Sequence, residues 1–130
     1  MSFPVTTNTS DERLEIRSAQ VRRVPDGLRL LEYRAVSLDE TGAYSFVSRQ
    51  GDPGSVDLTT VHDFARKPVV LDAGESGDIY YVARLKVTGP VRGDLDDCAL
   101  LYEQGGRPYR QTLGCTTTMR LASQTSPLDL

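Results

Sequence analysis

The sequence has 130 residues, of which 38% are hydrophobic and 25% charged, and its formal net charge is −3 at pH 7. This length and composition indicate one globular domain and exclude wholesale disorder. The chain lacks the basic excess of a nucleic-acid-binding protein and an apolar run long enough to span a membrane, so we expect no nucleic-acid partner and no membrane span.

The chain starts with a polar segment, residues 1–11, which is rich in Ser, Thr and Asn. We predict that it forms an N-terminal arm outside the sheet. It contains the glycosylation sequon Asn8-Thr9-Ser10, which has meaning only in a secreted chain. The charged start and apolar centre of a signal peptide are missing, which favours a cytoplasmic or virion location. The alternative is a secreted chain from which the signal has been removed.

The segment 14–21 alternates apolar and polar residues, but the phase slips near Ser18. A slip of one residue in a strand indicates a β-bulge. An amphipathic helix is the alternative, because the same apolar positions also fit one helical face. The sequence Val24-Pro25-Asp26-Gly27 then predicts a turn, followed by a returning strand over residues 28–36.

Turn sequences recur about every ten residues through the rest of the chain, which is typical of a β-sandwich or barrel. We predict an all-β, antiparallel sandwich or barrel of about seven to eight strands with at most one short helix, as a single domain over residues 1–130. The further strands are predicted at residues 43–49, 56–60 and 79–87, and residues 88–97 as a long acidic crossover. Residues 69–71 are apolar and precede an acidic loop at 72–78.

A hairpin is predicted around Gly105-Gly106, which lies between two strand-forming runs. The only two cysteines flank it. A loop of four residues would place Cys98 opposite Cys115, whereas a two-residue loop would place Cys98 opposite Leu113. We expect either a disulfide or two buried thiols, and the missing signal peptide favours thiols. The second arm is predicted to run on to residue 121, and residues 122–130 to form a polar tail.

Acidic residues cluster in the predicted connections between strands. If two of these loops met at one end of a sandwich, their five carboxylates would form a candidate Ca²⁺ site. Solvated turn residues are the simpler interpretation, because aspartate commonly serves turns. The candidate metal ligands are Asp39 and Glu40 in one loop and Asp94, Asp96 and Asp97 in the other; a third acidic loop holds Asp72, Glu75 and Asp78.

His62 is the only histidine, so a mechanism that needs two histidines is excluded. The sequence around the serines does not resemble a nucleophile elbow, and the cysteines lack a C-x-x-C spacing. We therefore predict no catalytic residue and no cofactor other than Ca²⁺ as a candidate. The tripeptide Arg92-Gly93-Asp94 occurs in integrin ligands, but three residues recur often by chance.

A β module with polar arms and no catalytic constellation is typical of a non-enzymatic structural or interaction protein. Such arms are usually disordered unless something holds them, which favours neighbouring subunits. We therefore expect a self-associating subunit of a larger assembly, such as a viral or phage capsid, decoration or tail component. The alternatives are a Ca²⁺-dependent sandwich that binds carbohydrate or membrane through the acidic loops, and an enzyme that uses His62.

Overall fold

The structure is a computed structural model that describes residues 1–41, 57–58, 60–115 and 117–118. It forms two packed antiparallel sheets, so the all-β prediction is confirmed and the architecture is a sandwich, not a closed barrel. The elements in chain order are β1 (Leu14–Arg23), β2 (Asp26–Ser37), α1 (Leu38–Thr41), β3 (Val69–Leu71), β4 (Ile79–Arg92), β5 (Asp94–Gln104), β6 (Arg107–Leu113) and β7 (Thr117–Thr118).

Sheet I has the strand order β3-β1-β5-β6, with β7 also paired to β5, and sheet II consists of β2 and β4. Within the described ranges, no helix is long and apolar enough to cross a membrane. The strand predicted at 43–49 and the tail at 122–130 lie outside the described residues, as do residues 56 and 59. The described residues of the strand predicted at 56–60 are not in a strand, because the N–H and the hydroxyl of Thr60 both donate back to the carbonyl of Asp57 (3.1 and 2.8 Å). Leu58 is in a turn.

The two sheets are halves of one long antiparallel ribbon that is folded over. Arg23 pairs with Asp96 in sheet I, and Asp26 pairs with Arg92 in sheet II. Only residues 24–25 separate β1 from β2, and only Gly93 separates β4 from β5. The predicted return of β2 alongside β1 and the predicted crossover at 88–97 are therefore wrong, because Pro25 and Gly93 bend the strands from one sheet to the other without reversing them.

Gly27 allows the two strands to approach each other closely at this bend. Its φ is +93°, a conformation that residues with a Cβ rarely adopt. A Cβ built at this position would lie 2.2 Å from the carbonyl oxygen of Pro90. Two reasons therefore require glycine at this position: the positive φ and the lack of space for a Cβ.

The phase slip in β1 is a register shift between Ile16 and Ser18 opposite β5. The predicted bulge is confirmed, and the helical alternative is wrong. The shift returns Ala19 and Val21 to the inward face that Ile16 occupies, so all three side chains are buried in the main core. Tertiary burial therefore explains why the apolar alternation changes phase here.

Apolar side chains cover both faces of sheet II at one end. Tyr81 and Ala83 of β4 pack in the main core between the sheets. On the opposite face, Tyr80 and Val82 pack with Val36 in a second cluster, which Leu38, Leu58 and Val61 cover. This second layer explains why the first half of β4 is apolar on both faces.

The N-terminal arm is held by its own chain. The N-terminal amine donates to the carbonyl of Ala83 (2.9 Å), and the main-chain N–H of Ala83 donates to the carbonyl of Met1 (2.8 Å). The N–H of Phe3 donates to the carbonyl of Tyr81, also at 2.8 Å, and the Phe3 side chain is 2% exposed. Residues 1–3 thus extend sheet II beside β4, so no neighbouring subunit is needed to order them.

Candidate functional site

His62 lies on the surface, where its ring packs edge-on against Phe64 with the centroids 4.4 Å apart. Its neighbour Asp63 does not orient the imidazole. The Asp63 carboxylate accepts main-chain hydrogen bonds from Ala35 and Ala65, both at 3.0 Å, and so fixes the connector to β2. This arrangement supplies no base and orienting carboxylate for nucleophilic catalysis.

The two candidate metal-binding loops lie at opposite ends of sheet II. Asp39 and Glu40 follow the end of β2, where Ser37 pairs with Ile79, whereas Asp94 follows the other end, where Asp26 pairs with Arg92. β2 has twelve residues, and at 3.3 Å per residue it holds these ends roughly 36 Å apart. The five carboxylates therefore do not converge, and the described part of the chain has no group of three metal-ligating side chains.

Asp96 and Asp97 form cross-strand ion pairs with β1. The Asp96 carboxylate lies 3.3 Å from Arg23 and that of Asp97 lies 3.7 Å from Arg22. The N–H of Asp97 also donates to the Asp96 side chain at 2.7 Å. These acids therefore help to hold β5 against β1.

The tripeptide Arg92-Gly93-Asp94 is exposed, but it is not a projecting loop. It is the corner at which the chain passes from β4 to β5, and Gly93 alone connects the two strands. Because both flanking residues belong to strands, the corner cannot extend towards a receptor as a longer loop would.

Gly105 and Gly106 form a two-residue turn with φ values of +61° and +75°, which is type I′ geometry. Cys98 accordingly pairs with Leu113. Cys98 and Cys115 nevertheless form a disulfide, with their Cα atoms 5.9 Å apart. The expectation of two thiols, which the missing signal peptide favoured, is therefore wrong. The disulfide joins β5 to the residues that follow β6.

The sequon asparagine is 1% exposed. Its amide nitrogen donates to the carbonyls of Glu12 (2.8 Å), Leu71 (3.1 Å) and Asp72 (3.1 Å). Its oxygen accepts hydrogen bonds from the main chain and the hydroxyl of Ser10. The hydrogen bonds of the Asn8 side chain therefore join the arm to the end of β3, and the buried amide is not accessible for glycosylation in the folded chain.

A cleft of about 270 Å³ opens between the arm, residues 4–10, and the inner face of sheet I. Its floor combines apolar side chains with Gln104 and Gln111 and ends at the outer strand of the sheet. No charged side chain lines it, so it offers no specific recognition of an ion. The residues contributed by the sheet are Leu14, Ile16, Leu100, Tyr102, Gln104, Gln111 and Leu113.

β6 is the outermost strand of sheet I, and in the described residues it pairs only with β5. Six of its seven residues are exposed, and Leu113 is the exception. Tyr109 is 44% exposed and stacks on Tyr102 of β5, with the ring centroids 5.4 Å apart and an interplanar angle of 18°. One edge of β6 is therefore paired with β5, and its other edge has no partner strand among the described residues.

The turn determines which main-chain groups point outward. In an antiparallel ladder, hydrogen-bonded and non-hydrogen-bonded pairs alternate, and the pair that flanks a two-residue turn is hydrogen-bonded. That pair is Gln104 and Arg107. Pro108, Arg110 and Thr112 therefore direct their main-chain groups away from β5, and proline fits because its position needs no N–H there.

This edge is the candidate functional site, and the sequence prediction missed it. The hairpin was predicted, but its place in the sheet depends on which strands lie beside it. Pro108 is the local signal that was available, because proline within a strand is confined to edges and bulges.

Neither a protein-family model, nor a curated protein, nor a solved structure matches this chain.

Proposed function

We propose that the protein is a non-enzymatic structural module that associates with copies of itself along the outer edge of β6. The observation that carries this proposal is an exposed strand whose main-chain groups along one side have no partner in the part of the chain that the structure describes. Such an edge is a template for another strand, and natural proteins shield it unless pairing has a use. The described chain shields this edge only with Pro108 and two arginines.

A second copy of β6 complements the first in one register. With the strands antiparallel and Gln111 opposite the partner's Gln111, Arg110 lies opposite the partner's Thr112. The outward N–H and C=O groups of these residues then form four hydrogen bonds about the two-fold axis. On the other face, Tyr109 lies beside the partner's Leu113, which adds an apolar contact.

The alternative register, with Arg110 opposite its own copy, is disfavoured because like charges directly opposite each other destabilise a strand pair. A shift by a single residue would also move every side chain to a different cross-strand neighbour. The register centred on Gln111 therefore satisfies the main-chain groups and avoids the repulsion.

Thr112→Pro tests the pairing directly. It removes an outward N–H but no hydrogen bond to β5, so we expect it to dissociate the dimer and retain the fold. Thr112→Val is the matched control, which keeps the N–H and should keep the dimer. Sedimentation velocity measures association, and circular dichroism checks folding. A wild-type chain that is monomeric at high concentration, or a folded Thr112→Pro dimer, would rule out the proposal.

Gln111→Cys tests the register. Residues opposite each other in a non-hydrogen-bonded pair have Cα atoms roughly 4.5 Å apart, within reach of a disulfide. We expect oxidation to link two copies through this position. Tyr109→Cys is the control, because its own copy lies four residues away along the strand and should not cross-link. Equal cross-linking of both variants would contradict the register.

A subunit of an extended assembly, such as a viral or phage capsid or tail, needs a second contact besides this edge. A dimer that forms through a two-fold axis closes on itself. The expected role as an assembly subunit therefore depends on a further surface.

A further inference from the structure

The N-terminal arm is paired along only one of its two main-chain edges. On that edge, residues 6–8 pair antiparallel with residues 75–77 through main-chain hydrogen bonds of 2.8 and 2.9 Å, which use the carbonyl of Thr6 and the N–H of Asn8. Successive residues of an extended chain direct their main-chain groups to opposite sides. Thr7 therefore directs its N–H and C=O away from residues 75–77, and neither group has a main-chain partner among the described residues.

This free edge of the arm borders the cleft described above, because Thr7 is one of the residues that line it. Along β5 the floor of the cleft runs from Leu100 to Gln104, a length of roughly 13 Å at 3.3 Å per residue. That length accommodates about four residues of an extended chain. A strand beside Thr7 would therefore lie over this floor, in the same layer as the arm and β4.

The layer that contains sheet II leaves part of sheet I uncovered. Residues 1–3 bond to the main chain of Tyr81 and Ala83 on the edge of β4 that faces away from β2, so the order in this layer is arm, β4, β2. Sheet I is wider and ends in β6. On the inner face of β6, Tyr109 and Gln111 are exposed. One more strand beside the arm would cover them.

The lining of the cleft favours an uncharged occupant. No charged side chain lines it, and its mouth is apolar. Val5, which is 37% exposed, belongs to the lining, and Tyr109, which is 44% exposed, stacks on Tyr102 of the lining. Burying a charge without a partner costs free energy. Because the side chains of a strand alternate between its faces, a segment of alternating apolar and hydroxyl residues fits this site.

We propose that the cleft binds an extended, uncharged segment of another protein, which adds to the arm as a strand and covers the inner face of β6. Main-chain hydrogen bonds to Thr7 hold the segment along the arm, and its alternate apolar side chains pack on Leu100 and Leu113. The inference does not rest on the proposed self-association, because the arm and the floor belong to one copy.

The probe is a short capped peptide in which valine and serine alternate, titrated into the full chain. We expect the amide NMR signal of Thr7 to shift on binding. Thr7→Pro removes an N–H that has no main-chain partner in the described chain, so the fold should remain while affinity falls by about tenfold, the effect of one main-chain hydrogen bond. Thr7→Val keeps the N–H and should bind as the native chain does. Both variants lose the hydroxyl contact to Ser76, which makes them a matched pair.

A second pair of variants tests the floor of the cleft. Gln111 lines the cleft, whereas the neighbouring Thr112 lies on the other face of β6. Gln111→Trp should fill the cleft and abolish peptide binding. Thr112→Trp places the same side chain on the outer face and should leave binding unchanged. Equal loss of binding in both variants would contradict the proposed position of the peptide.

The outer edge of β6 is the competing place for a strand. Thr112→Pro removes an outward N–H there, so loss of binding in this variant with retention in Thr7→Pro would assign the peptide to β6 and overturn the inference. A native chain that does not bind the peptide overturns it as well. Binding that appears only after deletion of residues 119–130 would assign the cleft to that segment. A Thr7 signal that shifts with protein concentration alone would assign it to a second copy, and either result overturns the inference.

Discussion

The phenol oxygen of Tyr33 accepts a hydrogen bond of 2.6 Å from the main-chain N–H of Val21. Tyr33 belongs to sheet II and Val21 to sheet I, so the bond crosses the space between the sheets. β3 pairs only with residues 14–16 of β1, and Val21 lies beyond that stretch. The ring of Tyr33 also packs edge-on against Phe3, with centroids 6.4 Å apart. One side chain thus connects both sheets and the N-terminal arm.

Tyr33→Phe removes the hydroxyl and leaves the N–H of Val21 without that acceptor. We expect the free energy of unfolding to fall by about 1–2 kcal/mol, the usual cost of a buried main-chain donor that loses its partner. Urea denaturation measures the change. Unaltered stability would show that this hydrogen bond does not contribute to the packing of the sheets.

Tyr81→Phe is the matched comparison, and for it we do not expect the free energy of unfolding to fall. The Tyr81 hydroxyl is buried and has no hydrogen-bond partner among the described residues. Burying an unpaired hydroxyl costs free energy, so we expect removal to leave stability unchanged or raise it by up to about 1 kcal/mol. A loss as large as that from Tyr33→Phe would contradict this account.

The same substitution has a pH signature. Burial, with a smaller contribution from the charge of Asp63, raises the pKa of Tyr81 to about 12. The phenol ionises near pH 10 in the unfolded chain, so its contribution to stability is constant below pH 10 and falls as pH rises from 10 towards 12. Tyr81→Phe should therefore lose less stability over this interval than the native chain, as measured by denaturation at each pH.

Gly27→Ala should destabilise the bend by about 2 kcal/mol or more, because its Cβ would clash with Pro90 and its φ is unfavourable for alanine. Thermal unfolding measures the effect. Gly89→Ala is the control, since a Cβ there meets nothing within 4 Å. It should leave stability nearly unchanged, and an equal loss from both substitutions would show that the bend is not the cause.

The disulfide links Cys98 to Cys115, which have a sequence separation of 17. We expect no reactive thiol in the denatured but unreduced chain and two after reduction. Replacing both cysteines with alanine should lower the free energy of unfolding by about 3 kcal/mol, mainly because the unfolded chain gains freedom. Two reactive thiols without reductant would exclude the disulfide.

Asn8→Asp should destabilise the arm more than Asn8→Ala. Aspartate would place an oxygen where the amide nitrogen now faces three carbonyl groups, whereas alanine only deletes the donor. We expect losses of about 3 and about 2 kcal/mol, respectively. Thr9→Ala, at an exposed neighbour, should have little effect. A larger loss of stability in Asn8→Ala than in Asn8→Asp would show that the hydrogen bonds donated by the amide do not hold the arm.

The features predicted from the sequence are those with local causes. Alternation with a period of two predicted the strands, the phase slip predicted the bulge before Ser18, and Gly105-Gly106 predicted the hairpin. The pairing of β1 with β5 is not local, because residues 14 and 104 meet only after the ribbon folds. Pro25 and Gly93 break a strand in either case, and the sequence alone does not distinguish a bend between sheets from a reversal.

The candidate site depended on the same missing information. Whether Asp39 approaches Asp94 follows from the direction of β2, and whether β6 is an edge follows from the strand order. Residues 1–3 are too few to show the alternation that predicts a strand. They are held in place by main-chain hydrogen bonds to β4, which a side-chain pattern does not reveal. Only Pro108 marked the edge locally.

The folded ribbon also determines when the protein can assemble during synthesis. At one end of the ribbon Ser37 pairs with Ile79, and at the other end Leu14 pairs with Gln104, which is much farther away in the sequence. The strands that pair are far apart in the sequence, so closing the intervening loops costs conformational entropy. Because synthesis follows the sequence, β1 and β2 are made well before their partner strands β5 and β4. β6 is made only after both halves of the ribbon. The edge at which we propose self-association is therefore synthesised only after β1 to β5, so pairing through this edge cannot precede the synthesis of those strands.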